Sequence, residues 1–292
     1  MDRGLMLIIG FFSFWLGACI GSFLNVVVWR VPRGESIVRP PSHCPKCNAS
    51  IKWHQNIPIL SWLALRGRCA NCREPISPRY ILVELLTGLL FLAAFWKCSP
   101  VYASVGPDGV ASFTRIICLP VVWWVWISLM VVGSFIDFDH QLLPDFVTVG
   151  GMILGVVYAC IECALLFVGV GATMEALRPL MTSLVGLAFG FGLMWLIRYV
   201  GTMAFKREAM GLGDVFLMGA IGALFGPVSV MVTLVVSAVA GSIVGVTLIL
   251  LSKTKLGSFM EIPYGPYICM GCLSWMFFGP ELVRWYLDLV GF

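Results

Sequence analysis

Residues 5–28 read LMLIIGFFSFWLGACIGSFLNVVV, twenty-four consecutive positions without a charged side chain. About 20 apolar residues in helical form cross the roughly 30 Å hydrocarbon core of a bilayer, so this stretch is long enough to span one. Similar windows, nearly free of charge, recur outward from it at about 80–96, 116–136, 146–171, 180–204, 228–251 and 266–287, with a shorter one at 215–224. The 292 residues are 60% hydrophobic and only 12% charged. That balance excludes an ordinary water-soluble domain and predicts an all-α polytopic membrane protein of about eight transmembrane helices. Met1-Asp2-Arg3 ahead of the first window superficially resembles the start of a secretory signal. The apolar run is too long, its basic flank is weak and no small-residue cleavage site falls near 17–28, so a retained helix is expected.

Charge sets the orientation. Of 19 Lys and Arg residues, nine fall in one loop: Arg30, Arg33, Arg39, Lys46, Lys52, Arg66, Arg68, Arg73 and Arg79. Basic loops stay in the cytoplasm, which puts this loop inside and the N-terminus outside. Eight crossings then place Lys206, Arg207, Lys253 and Lys255 on the inside, and the outer loops keep little beyond Arg115 and Arg178. Both termini are expected on the outer side of the membrane. The organisation that follows is a first transmembrane helix at 1–28, a small cytosolic domain at 29–79 and a transmembrane domain at 80–292. Membrane lipid is an expected partner and nucleic acid is not.

The cytosolic segment is rich in Pro and Cys and shows little helical periodicity. Its cysteines are spaced Cys44-Pro45-Lys46-Cys47 and, 21 residues on, Cys69-Ala70-Asn71-Cys72. Two CxxC knuckles at that separation predict a four-thiolate zinc site, Zn²⁺ supplying folding energy that so small a domain lacks. Disulfides are not expected in a reducing cytosol, and redox-active pairs are the competing reading. His43, beside Cys44, is left out because four thiolates already complete a tetrahedron. Two further CxxC spacings, Cys160 to Cys163 and Cys269 to Cys272, lie inside apolar windows and are expected to pack as small hydrophobes.

Ionisable groups at membrane spans cost about 2.5–3.5 kcal/mol on insertion scales and mark function when they persist. The third window ends in Ile136-Asp137-Phe138-Asp139-His140, and the sixth follows Gly211-Leu212-Gly213-Asp214. In the topology above, both segments lie at the cytosolic boundary. Two carboxylates brought together can share one proton, the ionised oxygen activating water while the protonated partner donates to a scissile carbonyl. The competing reading for Asp214 is a helix cap.

Gly211-Leu212-Gly213-Asp214, with Asp137 and the following Leu143-Pro144-Asp145, resembles the type IV prepilin peptidases, membrane aspartic proteases with a GxGD motif. The resemblance extends through Gly21-Ser22-Phe23-Leu24-Asn25-Val26-Val27, Cys44-Pro45-Lys46-Cys47, Asn56-Ile57-Pro58, Gly67-Arg68-Cys69, Arg79-Tyr80-Ile81-Leu82-Val83-Glu84 and Ile262-Pro263-Tyr264-Gly265-Pro266. It implies Asp137 and Asp214 as the catalytic pair, with Asp139 and Asp145 as second choices. It also implies prepilin or pseudopilin substrates whose basic leader is removed, and N-methylation of the new terminus with S-adenosylmethionine as methyl donor. The basic domain would repel a basic leader, so anionic lipid headgroups are its expected contact. No separate adenosylmethionine motif is present, and Asn56 and Glu84 stand without an assigned role. Many members carry Lys two residues after the GxGD Asp, where this chain has Phe216. A transporter or a non-catalytic pilus or secretion assembly factor would be the rival classes. The first would place acids near the bilayer midplane and show paired halves.

Overall fold

The computed structural model describes residues 3–98, 119–170, 173–208, 210–252 and 263–291. Arg115, Lys253, Lys255 and Ile262 lie outside them. In lipid every backbone N–H and C=O must be paired within its own segment, and long apolar windows without interior breakers solve that as helices. The described residues form α1 (Arg3–Arg30), α2 (Leu60–Ala64), α3 (Arg79–Cys98), α4 (Leu119–His140), α5 (Asp145–Val170), α6 (Met174–Phe205), α7 (Leu212–Phe225), α8 (Pro227–Ser252) and α9 (Gly265–Val290). No strand occurs among them; two isolated antiparallel bridges, His43 with Ser50 and Arg68 with Pro75, are all the β pairing.

By length and composition, α1, α3, α4, α5, α6 and α8 can each cross a membrane. Their outer faces are apolar and open, as at Phe11, Phe12, Val235, Val239 and Ile243. That is the inverse of a soluble protein and is what lipid solvates. The two remaining windows differ. Helix α7 has 14 residues, and α9 carries Pro280 and then Glu281 and Arg284 in its second half.

The chain divides into two compact units, Met1–Val132 and Gly133–Phe292. In the first, α1 packs along α3. A Cβ at Gly17 would sit 2.8 Å from Phe91 Cβ, and one at Gly21 2.9 Å from Glu84 Cα, so side-chain-free positions let the two helices close. Phe91 and Trp124 stack with centroids 5.4 Å apart, and the Trp124 indole donates to the Phe91 carbonyl at 3.0 Å.

In the second unit α7 is the hub, packed by α5, α6, α8 and α9. Val215, Leu217, Met218, Ala220 and Ile221 are wholly buried. Helices α6 and α7 cross so closely that a Cβ on Gly186 would run into the Gly222 carbonyl, and one on Gly222 into that of Gly186. Without a hydrophobic drive between helices in lipid, such contacts supply the dispersion energy that holds them. Beyond Phe225, Gly226 turns the chain at φ 83°, which a Cβ-bearing residue rarely adopts. At that end of α7 a cavity of about 470 Å³ is lined by Tyr158, Glu162, Arg178 and Ser183.

Candidate active site

Helix α4 ends three residues after Asp137; the chain then turns at Gln141 (φ 52°) and restarts as α5 behind Pro144. Asp214 lies in the first turn of α7. Leu143, from the α4–α5 turn, fills the space a side chain on Gly213 would need, since a Cβ there would lie 2.7 Å from Leu143 Cβ. This contact brings the turn beyond Asp137 against the start of α7. Both carboxylates are buried, Asp137 at 6% and Asp214 at 8% exposure.

A third segment completes the cluster. The Gly265 N–H, in the first turn of α9, donates to Asp137 Oδ2 at 2.9 Å. First-turn amides have no acceptor inside their own helix, and here a carboxylate 128 residues away provides one. The fit needs glycine, because a Cβ at 265 would sit 2.7 Å from that same oxygen. The preceding residue, Tyr264, is held by a 2.8 Å hydrogen bond between its hydroxyl and that of Ser237 on α8. The Asp137 charge acts on Asp214, and both charges act on Cys269, buried one turn into α9 and hydrogen-bonded to Ser134. The Gly211 amide lies beside the Asp214 carboxylate. Arg198, from α6, donates to the Met210 carbonyl at 2.7 Å and pairs with Glu208 at 3.2 Å, which ties down the approach to Gly211. Chemically this is a pair of carboxylates in a poorly solvated setting with one oxygen fixed by a backbone donor.

The other acids of the motif are elsewhere. Asp139 and Asp145 are exposed, Asp145 as the first residue of α5. Phe216 packs edge to face on Phe191 of α6, centroids 5.5 Å apart. Residue reading missed the backbone donor at Gly265 and the Tyr264–Ser237 brace. The Ile262–Pro266 motif was the signal that this region matters.

In the first unit, the sulfurs of Cys44, Cys47, Cys69 and Cys72 all lie within 4.8 Å of one another. The Cys44–Cys72 separation of 3.8 Å equals the edge of a tetrahedron with bonds of about 2.3 Å to a central ion, so the cluster can hold a metal ion. The two knuckles are near copies. Cys44 N–H donates to Ala49 O at 3.0 Å and Cys69 N–H to Glu74 O at 2.9 Å, with Asn48 and Arg73 at φ 55° and 62°. Backbone N–H of Ala49, helped by the Asn71 side chain, lowers the Cys47 thiol to about 6. The N–H groups of Cys72 and Asn71 lower Cys69. For Cys72 the Glu74 N–H also lowers, but burial and the three neighbouring sulfurs push it up to about 12. Of the other two CxxC pairs, Cys163, Cys269 and Cys272 are buried and Cys160 is exposed, and none joins the cluster.

Comparison with known proteins gives two family matches: the bacterial peptidase A24 N-terminal domain over residues 15–98, and the type IV leader peptidase family over residues 124–246. A prepilin leader peptidase/N-methyltransferase of Myxococcus xanthus is 41% identical over 280 residues, covering 94% of this chain and 74% of the relative. A type 4 prepilin-like proteins leader peptide-processing enzyme of Escherichia coli is 33% identical, covering 88% and 90%. A prepilin leader peptidase/N-methyltransferase of Legionella pneumophila is 33% identical, covering 96% and 94%. No solved structure matches.

Proposed function

The chain belongs to the type IV leader peptidase family, and from that premise we propose that it is a bifunctional prepilin leader peptidase and N-methyltransferase of a bacterial inner membrane. It cleaves the basic leader from type IV prepilins or pseudopilins and methylates the amine so exposed. Asp137 and Asp214 are the catalytic pair, at the cytosolic face, within a protease domain spanning 80–292. The observation that carries this is their burial at the meeting of three chain segments, with Gly265 N–H on one carboxylate oxygen.

The chemistry follows from that arrangement. Two carboxylates in a poorly solvated site repel each other, and one proton held between them relieves the repulsion. With Oδ2 of Asp137 committed to Gly265, its other oxygen is left for the attacking water and the shared proton. One carboxylate takes a proton from water as that water adds to the scissile carbonyl, and its partner gives the shared proton to the carbonyl oxygen. Collapse of the tetrahedral species passes a proton to the leaving amine and resets the pair. The acids stand at helix ends, one closing α4 and one opening α7, which suits a substrate helix presenting its cytosolic end and does not suit an ion path through mid-helix positions.

The four cysteines hold a structural Zn²⁺ in the cytosolic domain, residues 29–79. S-adenosylmethionine, when bound, supplies an electrophilic methyl group to the new amine. The test of the protease assignment is direct. Asp137→Asn and Asp214→Asn, purified in detergent, are each expected to cleave a prepilin at least 10³-fold more slowly than the parent chain, about 4 kcal/mol of transition-state stabilisation. Wild-type trimming by either variant would remove the acid pair from the mechanism.

A further inference from the structure

Two of the sequence motifs play no part in the acid pair: Gly21–Val27 on α1, and Asn56-Ile57-Pro58. They converge within the first unit on one cavity of about 380 Å³, to which α1 contributes Ser22, Phe23 and Arg30 and the following loops contribute Ser42, Asn56 and Pro58. Arg30 is 7% exposed. It donates to Ser36 O at 2.9 Å and to Pro40 O at 2.8 Å, which fixes the wall formed by residues 36–42. A guanidinium has five N–H donors, so these two bonds leave others for a ligand. The turn that follows Asn56 is clamped. Ile59 takes φ 62°, ψ −54°, a costly backbone for a β-branched residue, and its N–H is held at 2.7 Å by the buried carboxylate of Glu84. Gly21 lets α3 bring Glu84 that close to α1.

We infer that this cavity is the binding site for the methyl donor, S-adenosylmethionine. The inference rests on the methyltransferase reading above and deepens it by naming residues. The lining fits the group by its chemistry. Arg30 matches a carboxylate, since a guanidinium keeps its charge when buried and presents paired N–H donors. The hydroxyls of Ser22 and Ser42 and the amide of Asn56 match a ribose diol and a purine edge. Phe23 and Pro58 give the apolar surface an adenine ring needs. The shared placement also gives the two motifs one common purpose.

The experiment measures binding rather than turnover. The full chain, purified in detergent with its zinc, is titrated with radiolabelled S-adenosylmethionine by equilibrium dialysis and then photo-crosslinked for peptide mapping. The label is expected on peptides from 19–42 or 53–58. Asn56→Ala is expected to weaken binding about tenfold, the loss of one hydrogen-bonding partner, and Ser42→Trp, which fills the cavity, to abolish it. Arg30→Lys removes the fork but also loosens the 36–42 wall, so zinc content and thermal midpoint are read on every variant to separate misfolding from lost contact. Label confined to 133–292, or parental affinity in a folded Ser42→Trp, overturns the cavity assignment and leaves the methyltransferase reading standing. If the parent chain binds no S-adenosylmethionine, both fall.

Discussion

At Gly265 one added carbon would meet the proposed catalytic pair, since a Cβ built there lies 2.7 Å from Asp137 Oδ2 and 3.1 Å from its Cγ. Gly265→Ala must therefore push the carboxylate away or tilt the first turn of α9, and either breaks the 2.9 Å donor bond. The expected result is a fall in kcat of about 10- to 100-fold, about 1.4–2.7 kcal/mol, with KM for prepilin little changed, because the contact acts on the reacting group rather than on the substrate body. Cleavage kinetics with the thermal midpoint as a fold check measure this; an unaltered kcat would show that the Gly265 amide is incidental. Asp137 and Asp139 are two positions apart, which on a helix turns them to different faces, and the structure buries the first and exposes the second. Sequence could rank that pair through its motif neighbours. A backbone N–H has no letter of its own, so the donor at Gly265 became visible only when α9 arrived beside α4.

Among the elements, the paired cysteine knuckles were readable from spacing alone, because ligand number and separation are a property of the string. Their duplication was not: Cys44–Ser50 and Cys69–Pro75 differ in nearly every letter yet share the same turn, the same positive-φ position and the same closing bridge. What repeats is the backbone path around a sulfur, which many side chains tolerate. The pair also predicts a pH response. Cys47, lowered from an ordinary 9.0 to about 6, favours its thiolate across neutral pH. A group depressed in the folded state adds stability that is complete above its ordinary value and is lost as pH falls through its folded one. Metal binding needs thiolates, and the charge of the bound ion, rather than the metal-free balance in which Cys47 is lowered and Cys72 raised, holds all four deprotonated, so zinc retention should hold at pH 8 and 7 and decline only as acid protonates the sulfurs. Chelator-trapped zinc release at graded pH reads this directly, about one zinc per chain being released at completion. Cys44→Ser should release the ion even at pH 8, and a chain that stays folded and fully active without metal would contradict a structural zinc.

For the whole molecule the open issue is how many times the chain crosses, and α7 decides it. Apolar windows gave the six long spans directly, since length against bilayer thickness is a one-dimensional matter. They treated α7 on the same footing, yet its 14 residues rise only about 21 Å, some 9 Å short of the hydrocarbon core. A helix so short survives because α5, α6, α8 and α9 surround it within its unit, so protein rather than lipid covers most of its length, residues 217–223 being buried throughout. Length alone would permit a re-entrant hairpin, but charge argues otherwise. If α7 failed to cross, α8 would run the opposite way and deliver Lys253 and Lys255 to the periplasm, against the inside bias of Lys206, Arg207 and the 30–79 loop. Alkaline phosphatase, active only outside the cytoplasm, tests this when fused at successive points. Fusions after Arg178 and after Gly226 should be active, and those after Arg207 and after Ser252 silent. A silent fusion after Gly226 with an active one after Ser252 would mean that α7 turns back, leaving Asp214 on the cytosolic side but reversing every element beyond it.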